Sequence, residues 1–174
     1  MGRYYRLLAA EDYNFGVAYD AAGSTLFLLP DEGRAEGWMP KVLGLREGGY
    51  ADYLASELGC RLCSERLKGI LEEGASELDV LQWLEVEVTK GEEKRRYYIL
   101  HFPMPPDVLD GSRTLYAAAD VVVKAVLSKD RAEGHRVFGF PKAGMLRTIV
   151  SKEVKRAIEA AKCTGLSFSK MPEA

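Results

Sequence analysis

Residues 63–72 read "CSERLKGILE", and residues 150–159 read "VSKEVKRAIE". Each stretch places a small apolar residue, then a serine, then an apolar stripe. After Ser64 the stripe is Leu67, Ile70 and Leu71; after Ser151 it is Val154, Ala157, Ile158 and Ala161. Steps of three and four put these side chains on one face of a helix. A serine at the head of such a stripe can accept a free backbone N–H of the first turn, so both serines read as N-caps. The first copy lacks a full capping box, because Leu67 stands where the glutamate would be. The spacing predicts helices over about 64–73 and 151–162, with Gly74 ending the first and Gly165 following the second. Two explanations fit the repeated phrase. One is coincidence between two Ser-capped amphipathic helices. The other is internal duplication, each helix packing on sheet in an equivalent place.

Working outward, the neighbouring segments change period from helix to strand. "LQWLEVEV" at 81–88 alternates, with Leu84, Val86 and Val88 on one face and Trp83, Glu85 and Glu87 on the other. "KGEEKR" turns the chain, and "YYILHF" at 97–102 returns with Tyr98, Leu100 and Phe102 on one face, which makes a hairpin. Strands are also expected in "RYYRLL" (3–8), "FGVAY" (15–19), "STLFLLP" (24–30), "HRVFGF" (135–140), "MLRTIV" (145–150) and "LSFSKM" (166–171). The β-branched run in "DVVVKAVLSKD" (120–130) favours strand over helix. "YADYLASELG" (50–59) has helix-compatible spacing ended by Gly59, and 31–49 reads mostly as Gly-rich, charged loop. Three prolines in the four positions of "PMPP" make 103–112 a rigid loop. Together these elements predict an α+β fold: mainly antiparallel sheet carrying two similar helices, in a single domain over 1–174 with N-terminal strands in about the first 40 residues. The expected core includes Leu67, Ile70, Leu71, Leu84, Val86, Tyr98, Leu100, Phe138, Val154, Ile158, Leu166 and Phe168.

The whole-chain balance narrows the function classes. Of 174 residues, 47% are hydrophobic and 29% charged, and 24 basic residues nearly cancel 26 acidic ones, for a net charge of -2. Nucleic-acid binding wants a basic stripe, and "EEKRRYY" mixes both signs. No apolar run approaches the roughly 20 residues that span a bilayer. Three cysteines without an export signal read as reduced thiols in the cytoplasm.

Reaction signals are sparse. "CRLC" places Cys60 and Cys63 at a spacing that can hold zinc or cycle as a disulfide. A structural zinc site needs four ligands, and the other candidates, Cys163, His101 and His135, are each isolated. Cys63 stands just before a helix cap with Arg61 and Arg66 nearby, the surroundings that lower a thiol pKa. Yet Leu62 and Cys63 also read as the end of a buried strand, and Val150 occupies the place of Cys63 in the second phrase. No serine sits in the strained turn of a hydrolase nucleophile, and Gly48-Gly49 lacks the Lys-Ser/Thr of a phosphate loop. No catalytic residue, cofactor or metal ligand is assigned.

Beyond local pattern, "DYLASELGCRLCSERLKGILE" with "WLEVEV" and "YYILHF", followed by "HRVFGF" and "IVSKEVKRAIEAAKCTGLSF", resembles a bacterial family. It is immunity protein family eleven of polymorphic toxin systems, of the myxobacterial type, formerly a domain of unknown function. The resemblance covers roughly residues 40 to 170, and its most specific part is the end, where Thr164, Gly165, Leu166 and Phe168 follow the helix. It implies a protein that binds and neutralises a cognate toxin and is not an enzyme. The alternative is a redox-responsive or metal-binding regulatory module using Cys60 and Cys63. A partner surface is sought where the chain is stiff but not needed for the core. The proline-fixed loop offers Met104, Asp107 and Asp110, beside apolar Val108 and Leu109; "GWMPK" offers Trp38, and tryptophan is enriched in binding hot spots. The competing reading is that Trp38 and Met104 plug the edges of the core. Oligomeric state, homo-oligomers included, stays open.

Overall fold

A computed structural model describes residues 3–10, 12, 14–20, 29–140 and 148–174. In chain order, β1 (Tyr4–Ala9), β2 (Val17–Tyr19), β3 (Lys41–Arg46), β4 (Tyr53–Ser56) and β5 (Leu62–Ser64) lead into α1 (Glu65–Gly74). The hairpin β6 (Gln82–Lys90) and β7 (Glu93–His101) follows. Then come β8 (Leu115–Tyr116), a 3-10 turn at Ala118–Asp120, β9 (Val122–Lys124), α2 (Lys129–Ala132), β10 (Val137–Phe138), β11 (Ile149–Ser151), α3 (Lys152–Ala160) and β12 (Leu166–Lys170). The fold is α+β, as the sequence predicts.

The strands β2-β3-β6-β7-β5-β4 close into a barrel, and β10-β11-β1-β12 form an open sheet. Most pairings are antiparallel; the barrel adds two parallel ones, β2 with β4 and β3 with β6. The barrel is filled by Leu43, Leu45, Leu54, Leu62, Leu84, Val86, Val88, Tyr97 and Ile99, all buried. A second cluster joins barrel exterior, helices and sheet: Cys63, Leu67, Leu71, Leu100 and Phe102 meet Leu7, Val137, Val150, Val154 and Ile158. A third lies on the far face of the sheet around Tyr4, Val108, Leu127, Phe138 and Ile149.

The repeated phrase builds two units of the same plan. Ser64 Oγ accepts from Leu67 N, and Ser151 Oγ accepts from Val154 N, so both caps form. Strand β5 leads through α1 to β6, and both strands flank β7. Strand β11 leads through α3 to β12, and both flank β1. The registers match: Ser64 lies opposite Tyr97 and Cys63 opposite Tyr98, while Ser151 lies opposite Tyr4 and Val150 opposite Tyr5. The middle strands read alike, "RYYIL" at 96–100 and "RYYRL" at 3–7. The second unit thus takes its middle strand from the start of the chain. The helices pack on each other closely. A Cβ on Gly74 would lie 2.7 Å from Val154 Cγ2, so the glycine permits the approach; it is the last residue of α1 rather than a stop beyond it.

Three expectations need correction. Residues 50–59 form β4 and a turn, not a helix. Tyr53 and Leu54 are both buried, β4 pairs with β2 and β5 to close the barrel, and this pairing overrides a helix-like spacing. Residues 31–49 hold β3: Leu43 and Leu45 point inward, and a Cβ on Gly44 would strike the Tyr19 ring at 2.7 Å. In 120–130 only Val122–Lys124 is strand, with α2 at the end. The strand expected at 24–30 falls largely on 21–28, and part of that at 145–150 on 145–147, both outside the described residues.

Candidate functional site

The segment that carries Trp38 is clamped across one end of the barrel by backbone groups. His101 Nε2 donates to the Gly33 carbonyl at 2.7 Å, and Gly33 N donates to the Pro103 carbonyl at 2.7 Å. Gln82 holds Ala35 through both its backbone groups, at 2.9 and 3.0 Å. Trp38 Nε1 donates to the Glu85 carbonyl at 2.9 Å, and its ring packs half-buried against the barrel core beside Leu29 and Ala35. His101 is therefore a buried structural clasp. Because Pro103 is tied to Gly33, Met104 emerges at the barrel end that Trp38 covers. Met104 is 70% exposed, and Met39, next to Trp38, is 79% exposed. Sequence reasoning passed over Met39, although it stands in the same Gly/Pro-flanked phrase.

Asp107 and Asp110 belong to the next segment and have different partners. Asp107 is exposed and pairs with Arg131 Nη1 at 2.8 Å. Asp110 Oδ1 accepts from Ser112 N at 2.9 Å and from Ser112 Oγ at 2.7 Å, and these bonds hold its carboxyl below the usual range. It organises a turn. Val108 and Leu109, expected beside the acids on the surface, are buried in the cluster beneath the sheet. A further apolar surface lies on the β8–β9 hairpin, where Leu115, Tyr116, Val121 and Val123 are exposed.

The thiols sit in surroundings opposed to reactivity. Burial pushes Cys60 up to about 11 and raises Cys63 further, so both are protonated at neutral pH. Burial also raises Cys163. Among the described residues no group of three His, Cys, Asp or Glu side chains is placed to hold a metal.

Two buried carboxylates escaped sequence reasoning, and both are saturated with donors. Asp79 Oδ2 accepts from Ser76 N and Oγ, Arg136 N and Val137 N, while Oδ1 meets His135 Nδ1 at 2.8 Å. Asp52 accepts from Ser64 Oγ and Arg66 Nη2, each at 2.6 Å, and from Thr164 N at 2.8 Å. Their lone pairs are committed to holding segments together, which leaves none for general-base work. Ser76, three positions before Asp79, is the one local sign of that cluster; the remaining donors lie up to 112 residues away. No helix among the described residues is long and apolar enough to cross a membrane.

No curated protein matches this chain. Residues 39–173 match the sequence model of the Immunity protein family (Imm11), and a match over most of its length means that the chain belongs to that family.

Proposed function

We propose that this chain binds and neutralises a cognate bacterial toxin, with no catalysis of its own, and that the barrel end carrying Trp38, Met39 and Met104 faces the toxin, with Asp107 and Asp110 at its margin. Membership of the immunity family over residues 39–173 carries the reading. The surface chemistry supports the choice of face. Two methionines project at one end, and methionine adapts to irregular partner surfaces. Pro103, Pro105 and Pro106 stiffen the loop under Met104, so little entropy is lost on binding. Asp107 spends its charge on an exposed pair with Arg131, which a toxin cation can replace at little cost. The redox or metal alternative is disfavoured by burial of Cys60 and Cys63.

The test is calorimetric titration with a purified polymorphic toxin whose gene is found beside this one. Met104→Ala and Asp107→Ala are expected to weaken binding about tenfold while leaving the melting temperature unchanged. Trp38→Ala is expected to lower stability as well, because Trp38 packs on the barrel core. Failure of the wild-type chain to bind any neighbouring toxin refutes the function. Tight binding that ignores Met104→Ala and Asp107→Ala moves the interface elsewhere.

A further inference from the structure

The middle strands of the two strand–helix–strand units correspond position by position over 96–100 and 3–7 except at one place. Tyr97 and Tyr4 lie opposite the capping serines, and each donates its hydroxyl to an alanine carbonyl, Ala51 and Ala132 respectively. Tyr98 and Tyr5, then Leu100 and Leu7, occur at equivalent positions, and both leucines lie in the cluster beneath the helices. Between them, Ile99 points into the barrel, fully buried and opposite Leu84. Its counterpart is Arg6, opposite Ser169. Where the barrel has two aliphatic side chains, the open sheet has a guanidinium and a hydroxyl.

Arg6 and Ser169 line a pocket of about 230 Å³, with Val123 and Lys124 of β9, Phe140 and Met171. Among the described residues, Arg6 Nε is buried without a hydrogen-bond partner, and no carboxylate lines the pocket. Among the described residues, Arg6 and Lys124 form no ion pair, and the nearby Glu173 is held by Arg3 at 3.2 Å. A guanidinium stays protonated, and a buried charged N–H without an acceptor is costly. Arg6 as a whole is half-buried; water can meet the buried N–H, but an anion would pair the charge as well. The volume falls short of the roughly 300–1,000 Å³ of drug-sized ligand sites, yet it admits one tetrahedral or planar oxyanion.

We infer that this pocket binds a small oxyanion, a phosphate or carboxylate group held by Arg6 with Lys124 and the Ser169 hydroxyl. Arginine's planar fork suits either group, and the buried side chains of Phe140 and Met171 give the pocket an apolar side. The site is independent of the toxin-facing surface proposed above.

The experiment titrates the ¹⁵N-labelled chain with sodium phosphate and, separately, sodium glutarate, at constant ionic strength with chloride as control. Saturable amide shifts are expected at Arg6, Lys124 and Ser169. Arg6→Gln should weaken binding at least about tenfold, since a charge-assisted hydrogen bond is lost. Lys124→Gln, at an exposed position, should weaken it about threefold without touching stability, and it decides the matter if Arg6→Gln does not fold. Saturation by phosphate alone assigns the site to phosphoryl groups, and by glutarate alone to carboxylates. Either supports the inference. No saturation by either anion, or variants that bind as tightly as wild type, overturns it.

Discussion

Replacing Asp52 by asparagine tests how the barrel, α1 and the end of α3 are held together. Asp52 is buried, and burial alone would push its carboxyl up. Hydrogen bonds from Arg66, Ser64 and Thr164 outweigh burial and hold it at about 2, against an ordinary 3.8. Arg66 also donates to the Ala161 carbonyl at 3.1 Å, so the same cluster ties down the end of α3. Because the folded-state value lies below the unfolded one, the carboxylate contributes stability above the ordinary value. That stability is lost as pH falls through about 2. The difference corresponds to about 2 kcal/mol at neutral pH. Asp52→Asn presents no charge, so it should be less stable than wild type by about 2 kcal/mol at pH 7. Urea unfolding at a series of pH values from 7 to 2 reads the gap directly. The gap should stay level down to about pH 5 and then shrink through the acid range, because only the wild type loses the ionised form. A gap independent of pH would show that the lost interaction is not linked to ionisation. No gap at pH 7 would refute the clamp.

Other substitutions probe the core and the thiols. Ile158 is fully buried on the inner face of α3, and Ile158→Ala should cost about 2–5 kcal/mol by chemical denaturation; a cost near zero would place that face in solvent. In the native chain a thiol-specific reagent should modify Cys163 first, because it is only partly buried, with Cys60 and Cys63 reacting only on unfolding. Prompt modification of all three at neutral pH would contradict the buried strand end.

What the sequence made legible was local grammar. The serine caps, both amphipathic stripes and the β6–β7 hairpin depend on residues within a few positions of one another. Spacing therefore reports them. The barrel was not legible, because β2, β3 and β4 are short and acquire their identity from partners far along the chain. Tyr53 and Leu54 are a clear instance. Both are buried, which gives a two-sided pattern that imitates helix spacing over so few residues. Gly44 misled in the opposite direction: it reads as loop, but it is there because the Tyr19 ring lies against it. Trp38 and Met104 stand out in the sequence only through their flanking prolines and glycines. Asp52 and the Arg6 pocket carry no such local signal, since each joins groups far apart in the chain, and Asp79 shows only Ser76 nearby.

The contrast between the two units bears on why one closes and the other does not. In the first, Tyr97, Ile99 and Leu84 give β7 and β6 an apolar inner face, and burying it rewards completion of the barrel by β2, β3 and β4. In the second, Arg6 and Ser169 stand at the matching positions on β1 and β12. Enclosing them in an equivalent barrel would strand a guanidinium in an apolar core, at a cost that closure could not recover. The far face of that sheet is instead covered in part by the 108–109 segment and by β9, which leaves room for the pocket. Strand β1 also lies before residue 39, where the family match begins, yet it is the centre of the open sheet. The segment that lies outside the family match thus supplies both the middle strand of the second unit and the cation upon it.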